Sequence, residues 1–120
     1  YIGILAIPAI DAEFPVAGEC NMDDMRDSPC RYSGSVYKDN MVIAAHNYTT
    51  HFGMIGNLHY GDEIYFTDVD GNKYTYEVSE LETLRSTAIY DMTNGKWDLT
   101  LFTCDMSGQN RVTVRALRAS

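Results

Sequence analysis

The sequence predicts an all-β domain, folded as a barrel or a sandwich of seven or eight short strands. Strand-favouring residues are frequent, with nine tyrosines among recurring valine, isoleucine and threonine. Short apolar runs alternate with polar, glycine-containing turns. Only one or two short helical turns are indicated, and there is no repeat or internal linker. These observations predict one domain over residues 1–120.

The acidic composition of the chain excludes some classes of binding partner. The chain has a net charge of −8, with 45% hydrophobic and 22% charged residues. Nucleic acid and anionic membranes both require a basic surface, so neither is an expected partner of the folded body. There is no signal peptide and no apolar run of 18 or more residues. The chain starts on a strand-like segment without Met, so we expect an excised domain with any anchoring segment upstream.

The first half of the chain predicts four strands. They cover residues 1–7, 15–17, 31–36 and 41–46. Residues 10–13 are predicted as a turn-like link, and Pro15 marks an edge strand. Residues 20–29 are polar and acidic, and Gly34 indicates a bend or a close approach. The run 41–46 is apolar on both faces, which is typical of a central strand.

The second half predicts a hairpin, a long connection and a second hairpin. Residues 47–58 form a loop with a short helix, followed by strands at 63–67 and 73–84. Asp70, Gly71 and Asn72 supply the tight turn between these strands. The alternation of the longer strand breaks near Glu80, which predicts a bulge there. Residues 86–98 are the longest irregular connection, and strands at 99–104 and 111–118 end the domain.

A cysteine and an arginine flank the polar turn of the last hairpin. Cys104 ends one strand and Arg111 starts the next, so the two Cα atoms are expected roughly 4.5–5.5 Å apart. A thiol attacks a carbonyl as a thiolate, with an imidazole nearby to move the proton. His46 ends a buried strand and is the preferred partner, whereas His51 and His59 are expected at the surface. The alternative is a capping histidine with a core cysteine.

Three cysteines cannot all pair within the chain. Cys20 and Cys30 lie in one loop-rich stretch, and a bridge between them would leave Cys104 free. The alternative is that all three are reduced. Metal binding by the histidines and cysteines is not expected, because no close-spaced pair is present. The segment 68–72 resembles a calcium loop but fails its spacing, so a hairpin turn is preferred.

The segment Thr100-Leu101-Phe102-Thr103-Cys104 matches the TLxTC signature of the sortase family at every fixed position. His46 after an apolar strand and Arg111 at the start of the next strand complete the family's ordered His, Cys and Arg. Segments 1–8 and 61–66 also resemble the family's strands. The chain is therefore similar to sortases, cysteine transpeptidases of the bacterial surface, over nearly its whole length.

The resemblance implies an all-β, closed or nearly closed barrel of about eight strands with one or two short helices. It implies cleavage of a Leu-Pro-x-Thr-Gly-like sorting signal through a Cys104 thioester, and transfer to an amine of a cell-wall precursor or a pilin lysine. His46 would act as general acid and base, and Arg111 would hold a carbonyl or the developing oxyanion. The alternative for Arg111 is an ion pair with a carboxylate.

Other roles follow less directly. Thr103 is a candidate groove contact, and Ile89, Tyr90 and Met92 are candidates for gripping the peptide; Trp97 is assigned to packing. No cofactor is predicted: some sortases need calcium, but the acidic residues here show no selective spacing. The expected location is the extracellular face of the bacterial plasma membrane, through an anchor outside this chain. The other classes considered are a non-enzymatic β-barrel binding module and a hydrolytic cysteine peptidase.

Overall fold

The computed structural model describes residues 2–18, 29–45, 52–85, 97–104 and 110–119, with the backbone alone at 45, 52–54 and 104. It contains eight strands, numbered here in chain order. They are β1 (Gly3–Ile7), β2 (Ala12–Val16), β3 (Cys30–Ser33), β4 (Met41–Ala45), β5 (Glu63–Asp68), β6 (Lys73–Arg85), β7 (Leu99–Cys104) and β8 (Asn110–Arg118).

The eight strands form one sheet in the order β2-β1-β5-β6-β8-β7-β4-β3. The two outer strands, β2 and β3, approach each other at a bridge between Ala17 and Cys30. There the Ala17 N–H donates to Pro29 O and the Arg31 N–H donates to Ala17 O, both at 2.9 Å. The sheet is thus a nearly closed barrel, which confirms the expected barrel of eight strands and rejects a sandwich.

The barrel interior is filled by alternate residues of the strands, as period-two burial requires. β1 shows this alternation, with Leu5 and Ile7 fully buried and Ile4 exposed. A short 3-10 helix, Phe52–Asn57, contributes the buried side chain of Ile55 to the core. The interior also contains Phe14, Val16, Met41, Ile43, Ile64, Phe66, Tyr76, Val78, Leu99, Leu101, Val114 and Ala116.

Two predicted boundaries were wrong. The turn-like link at 10–13 is shorter than expected, because a 3-10 helix at Pro8–Ile10 turns the chain and β2 starts at Ala12. The predicted strand at 31–36 ends at Ser33, and Val36 belongs to a second 3-10 helix, Val36–Lys38. Gly34 causes this break: its φ of 70° is left-handed, and any Cβ would collide with the Asn40 carbonyl.

The turn between β5 and β6 is built on Asp68, which is buried. Its carboxylate accepts hydrogen bonds from the N–H groups of Asp70 and Asn72, from the Asn72 side chain and from the Tyr37 hydroxyl. Gly71 has a φ of 88°. The hairpin turn predicted at 70–72 is therefore confirmed, and the oxygens of Asp68 serve the turn.

The predicted bulge in β6 is also confirmed. The β6–β8 register shifts between Val78, which pairs with Ala116, and Glu80, which pairs with Arg115. Val78 lies in the core, so without the extra residue Glu80 would follow it into the interior. The bulge instead lets Leu81 pack against the core and keeps Glu80 exposed.

A second, smaller apolar cluster lies on the other face of the sheet, over β3, β4 and β7. We call it the outer cluster; it consists of Cys30, Val42, Ala44 and Phe102, each at most 3% exposed. Tyr32 and Leu84 pack against it. The sheet is therefore apolar on both faces near the end of β7, and the outer cluster contacts Arg111 through Phe102.

Candidate active site

The last two strands form the predicted hairpin, and their register sets the site. β7 and β8 are antiparallel, and Cys104 is the Cα partner of Arg111. On its other side β7 runs parallel to β4, with Ala45 as the partner of Thr103. The carboxyl end of β4, the carboxyl end of β7 and the start of β8 therefore meet at one rim of the barrel. His46 directly follows Ala45 in the sequence.

Several predicted site residues lie outside the described part of the chain. These are His46, Ile89, Tyr90 and Met92, and the side chain of Cys104. Their roles stay predictions. His51 is also outside it, whereas His59 is exposed, with 88% of its side chain accessible. Trp97 is half-buried.

Thr103 is buried, at 2% exposure. Its strand partner Val112 packs against the barrel interior, and Leu101, two residues earlier on the same face of β7, is a core residue. Within the described residues, the Thr103 hydroxyl has no hydrogen-bond partner. Thr103 thus faces the interior side of β7, and its predicted contact with a peptide stays untested.

Arg111 is half-buried and its guanidinium lies against aromatic rings. The Cζ atom is 4.8 Å from the ring centroid of Phe102 and 5.8 Å from that of Tyr32. Its Nε and Nη1 atoms are buried and make no hydrogen bond to any residue that the structure describes. The alternative of an ion pair with a carboxylate finds no support in this part of the chain.

Arg115, on the same face of β8, has the opposite surroundings. Its side chain is 3% exposed, and its Nε donates to Glu82 Oε2 at 2.9 Å. Its Nη1 donates to the Thr100 hydroxyl at 3.1 Å. A buried guanidinium requires such partners, since an unpaired buried charge is costly. Arg115 is therefore a structural residue that joins β6, β7 and β8.

These contacts were not predicted from the sequence. The alternation Arg111, Thr113, Arg115 was a signal that both arginines share one face of β8. No local pattern identified Tyr32, because β3 and β7 are far apart in the sequence and only the folded sheet brings them to the two sides of β4. The aromatic contact between Tyr32 and Phe102 spans β4, with the ring centroids 5.2 Å apart and the ring planes at 83°.

Cys30 is disulfide-bonded, so the alternative in which all three cysteines are reduced is wrong. Cys104 does not fit as its partner. Cys30 pairs with Ala44, which pairs in turn with Phe102, so β3 and β7 are two strand spacings apart, about 10 Å. A disulfide needs Cα atoms within about 7 Å. The predicted bridge to Cys20 lies outside the described residues and stays a prediction.

Several of the acidic residues considered as calcium ligands have other partners. Asp68 serves its turn, Glu82 pairs with Arg115, and Glu63 accepts a hydrogen bond from Tyr65 at 2.6 Å. Across the described ranges, no group of three or more His, Cys, Asp or Glu side chains is arranged to hold a metal ion. The same ranges contain no helix that is long and apolar enough to cross a membrane.

The backbone pairing of Cys104 with Arg111 lies at one rim of an eight-stranded barrel. The family model of the Sortase domain matches residues 5–119. The chain therefore belongs to the sortase family, whose members are cysteine transpeptidases of the bacterial cell surface.

Curated relatives agree with this assignment. Sortase D of Bacillus subtilis is 31% identical over 107 residues, which is 85% of this chain and 53% of that protein. Sortase A of Listeria monocytogenes is 31% identical over 110 residues, 87% of this chain and 49% of that protein. This chain thus spans about half the length of the curated relatives that it matches.

Solved structures confirm the fold. Sortase C of Streptococcus pneumoniae superposes with a TM-score of 0.85 and 27% identity, covering 99% of this chain and 66% of that one. The relatives carry the class letters A, C and D, so the class of this chain within the family stays open.

Proposed function

We propose that this chain is the catalytic part of a sortase that cleaves a Leu-Pro-x-Thr-Gly-like sorting signal and transfers the acyl group to an amine. The observation that carries the proposal is the pairing of Cys104 with Arg111 beside the carboxyl end of β4. Family membership supports the class of reaction. The peptide, the amine and the residue roles are parts of the proposal.

In the first step, the Cys104 thiolate attacks the scissile carbonyl carbon of the peptide. Collapse of the tetrahedral adduct breaks the C–N bond, forms the thioester and expels the new amine, which takes a proton from the His46 imidazolium. Arg111 supplies N–H donors to the substrate carbonyl or to the developing oxyanion. The buried Nε and Nη1, which lack a partner within the described residues, support this role.

In the second step, an incoming amine attacks the thioester carbonyl. His46, now neutral, accepts the proton of that amine, and the bond to Cys104 breaks to regenerate the thiolate. The β4–β7 register supports His46 in this role, because one more residue in that register would pair position 46 with position 104. The acceptor is proposed to be an amino group of a cell-wall precursor or a pilin lysine.

The proposed location is the outer face of the bacterial plasma membrane, with the anchor outside this chain. The partners are exported proteins that carry the sorting signal. Pilin is named as a substrate for the sortase C of S. pneumoniae, and it enters here as one candidate acceptor. No cofactor is included in the proposal.

The test is incubation with a sorting-signal peptide library, with and without an amine, read by intact-protein mass. We expect an acyl adduct on the wild-type chain and none on Cys104→Ala. His46→Ala should lower turnover by about 10²–10⁴-fold, as expected on loss of a general acid and base. The double variant Cys20→Ser, Cys30→Ser leaves Cys104 as the one cysteine of the sequence, and it should keep the adduct.

The outcomes separate the classes considered. Ligation that depends on the amine identifies a transpeptidase, and hydrolysis alone identifies a peptidase. An adduct that persists in Cys104→Ala would overturn the assignment of the nucleophile. No adduct with any peptide would favour a binding module.

A further inference from the structure

Arg111 lies next to two rings that already contact each other. Its guanidinium carbon is 4.8 Å from the Phe102 centroid and 5.8 Å from the Tyr32 centroid. Both distances are within the roughly 6 Å range of a cation–π contact. The rings meet edge to face at 5.2 Å, which fixes their orientation relative to each other.

The strand register explains why these three side chains meet. Cys104 is opposite Arg111, so Phe102, two residues earlier, is the diagonal neighbour of Arg111 across the β7–β8 pair. On the other side of Phe102, β4 contributes the small residue Ala44. A methyl group at this position leaves room for the Tyr32 ring to reach over β4 to Phe102.

Arg115 provides an internal comparison. It occupies the same face of β8, but a carboxylate and a hydroxyl use its donors. Arg111 is held without these partners: the described part of the chain provides rings and no acceptor for Nε and Nη1. Among the residues that the structure describes, the Arg115 guanidinium has hydrogen-bond acceptors, and Nε and Nη1 of Arg111 have none.

We propose that Phe102 and Tyr32 are positioning residues that hold the Arg111 guanidinium by cation–π contacts and leave its N–H donors for the substrate. The proposal rests on the proposed function, in which Arg111 contacts the reacting carbonyl. Phe102 occupies the position that the TLxTC signature leaves open, so the assignment belongs to this chain.

The physical reason lies in how each kind of partner engages a guanidinium. Its five N–H groups lie in the plane of the group, and a carboxylate binds them there, in competition with a substrate oxygen. An aromatic ring attracts the cation through the face of the ring and accepts none of those donors strongly. Rings can therefore orient Arg111 before substrate binds while its donors stay available, which is the preorganisation that oxyanion stabilisation requires.

The test compares variants at position 102 in the sorting-peptide assay. Phe102→Leu keeps an apolar side chain but removes the ring, and pentafluorophenylalanine at 102 keeps the ring but reverses the charge of its face. Each should lower kcat/KM by roughly tenfold, which is less than the roughly 10²–10³-fold cost of deleting one oxyanion donor, because the guanidinium is misplaced and not removed. Tyr32→Leu should lower kcat/KM less than Phe102→Leu does, because the Tyr32 ring is farther from the Arg111 Cζ atom. Tyr32→Phe keeps the ring and should have the wild-type kcat/KM.

One mutant background and one control variant distinguish a positioning role from a packing role. In Arg111→Ala, the change Phe102→Leu should have no further effect, because no guanidinium is left to position. Tyr74→Leu is the matched control, since it removes the ring that lies 5.0 Å from Arg118 and should leave kcat/KM unchanged. Wild-type kcat/KM in Phe102→Leu, or an equal loss in the Arg111→Ala background, would overturn the proposal.

A measurement without substrate keeps this inference separate from the proposed function. The Arg111 Nε–H NMR signal, assigned by its loss in Arg111→Lys, should carry a ring-current shift that Phe102→Leu removes. If the wild type forms no acyl adduct, the proposed function fails while this signal still reports the stacking. A signal that is the same in both proteins would overturn the positioning of Arg111 by Phe102.

Discussion

Asp68 shows how a buried carboxylate is stabilised by its immediate surroundings. Burial by itself would raise its pKa. The hydrogen bonds from the Asn72 N–H, the Tyr37 hydroxyl, the Asn72 side chain and the Asp70 N–H outweigh burial, and the pKa is lowered below its ordinary value. These donors favour the charged form, so the ionised carboxylate stabilises the folded protein.

This lowered pKa has a definite consequence for acid stability. The contribution of Asp68 is complete above the unfolded-state pKa of about 4 and is lost as the pH falls through the folded-state pKa. Asp68→Asn should therefore unfold at lower urea than wild type at pH 7, and the gap should shrink below about pH 4. The measurement is the urea midpoint between pH 7 and pH 2. A gap that does not change with pH would contradict the role of the charge.

Gly34, between β3 and β4, and Gly71, between β5 and β6, both have positive φ. Their surroundings differ. A Cβ on Gly34 would meet the carbonyl and the side chain of Asn40, whereas a Cβ on Gly71 would meet nothing within 4 Å. Asn40 is itself fixed, because its Oδ1 accepts the Ser35 N–H at 2.9 Å. The Gly34 turn between β3 and β4 therefore tolerates less change than the β5–β6 turn.

Gly34→Ala and Gly71→Ala form a matched pair that measures this difference. Both introduce a Cβ at positive φ, at a cost of about 1 kcal/mol for the backbone alone. Gly34→Ala adds a collision with backbone and should lower the free energy of unfolding by about 2–3 kcal/mol in total. Denaturant titration of the two variants is the measurement. Equal losses would show that Asn40 moves aside at little cost.

The β6 bulge connects one element to the active-site rim. Beyond the bulge, Glu82 faces Arg115 and Leu84 packs against the outer cluster, with Leu84 paired to Arg111. A strand with unbroken alternation would turn these residues towards the interior. The break near Glu80 was readable from the sequence because it interrupts a period of two, but its partner across the sheet was not.

The seam between β2 and β3 is where the whole barrel closes, and Cys30 lies at it. Its disulfide therefore lies at a seam where, among the described residues, one isolated bridge links the two outer strands. Because Cys104 is too far away to be the partner, we expect Cys30 to be joined to Cys20. Such a link restricts the unfolded chain and stabilises the fold.

Peptide mapping without reductant should therefore find Cys20 joined to Cys30, with one free thiol per denatured chain. Reduction should lower the free energy of unfolding by about 2–4 kcal/mol. Cys30→Ser should already have the lower stability and should not respond to reductant. A mapped link to Cys104, or a stability that reductant leaves unchanged, would contradict this pairing.

The sequence by itself determined the strands, the last hairpin with Cys104 facing Arg111, the bulge and the turn at 70–72. These features depend on alternation and turn chemistry among neighbours in the chain, and such patterns can be read locally. The TLxTC signature added the family. The boundaries at Ala12 and Ser33 were missed because short 3-10 helices, one before β2 and one after β3, leave little periodic signal in the sequence.

Only the tertiary structure decided which distant strands became neighbours. The parallel pairing of β4 with β7 puts Ala45 beside Thr103, and it brings Tyr32 and Phe102 together over Ala44. It also decided that Arg115 is paired with Glu82 while Arg111 stacks on rings. Side-chain burial on both faces of the closed barrel selects these pairings, and that burial depends on all eight strands at once.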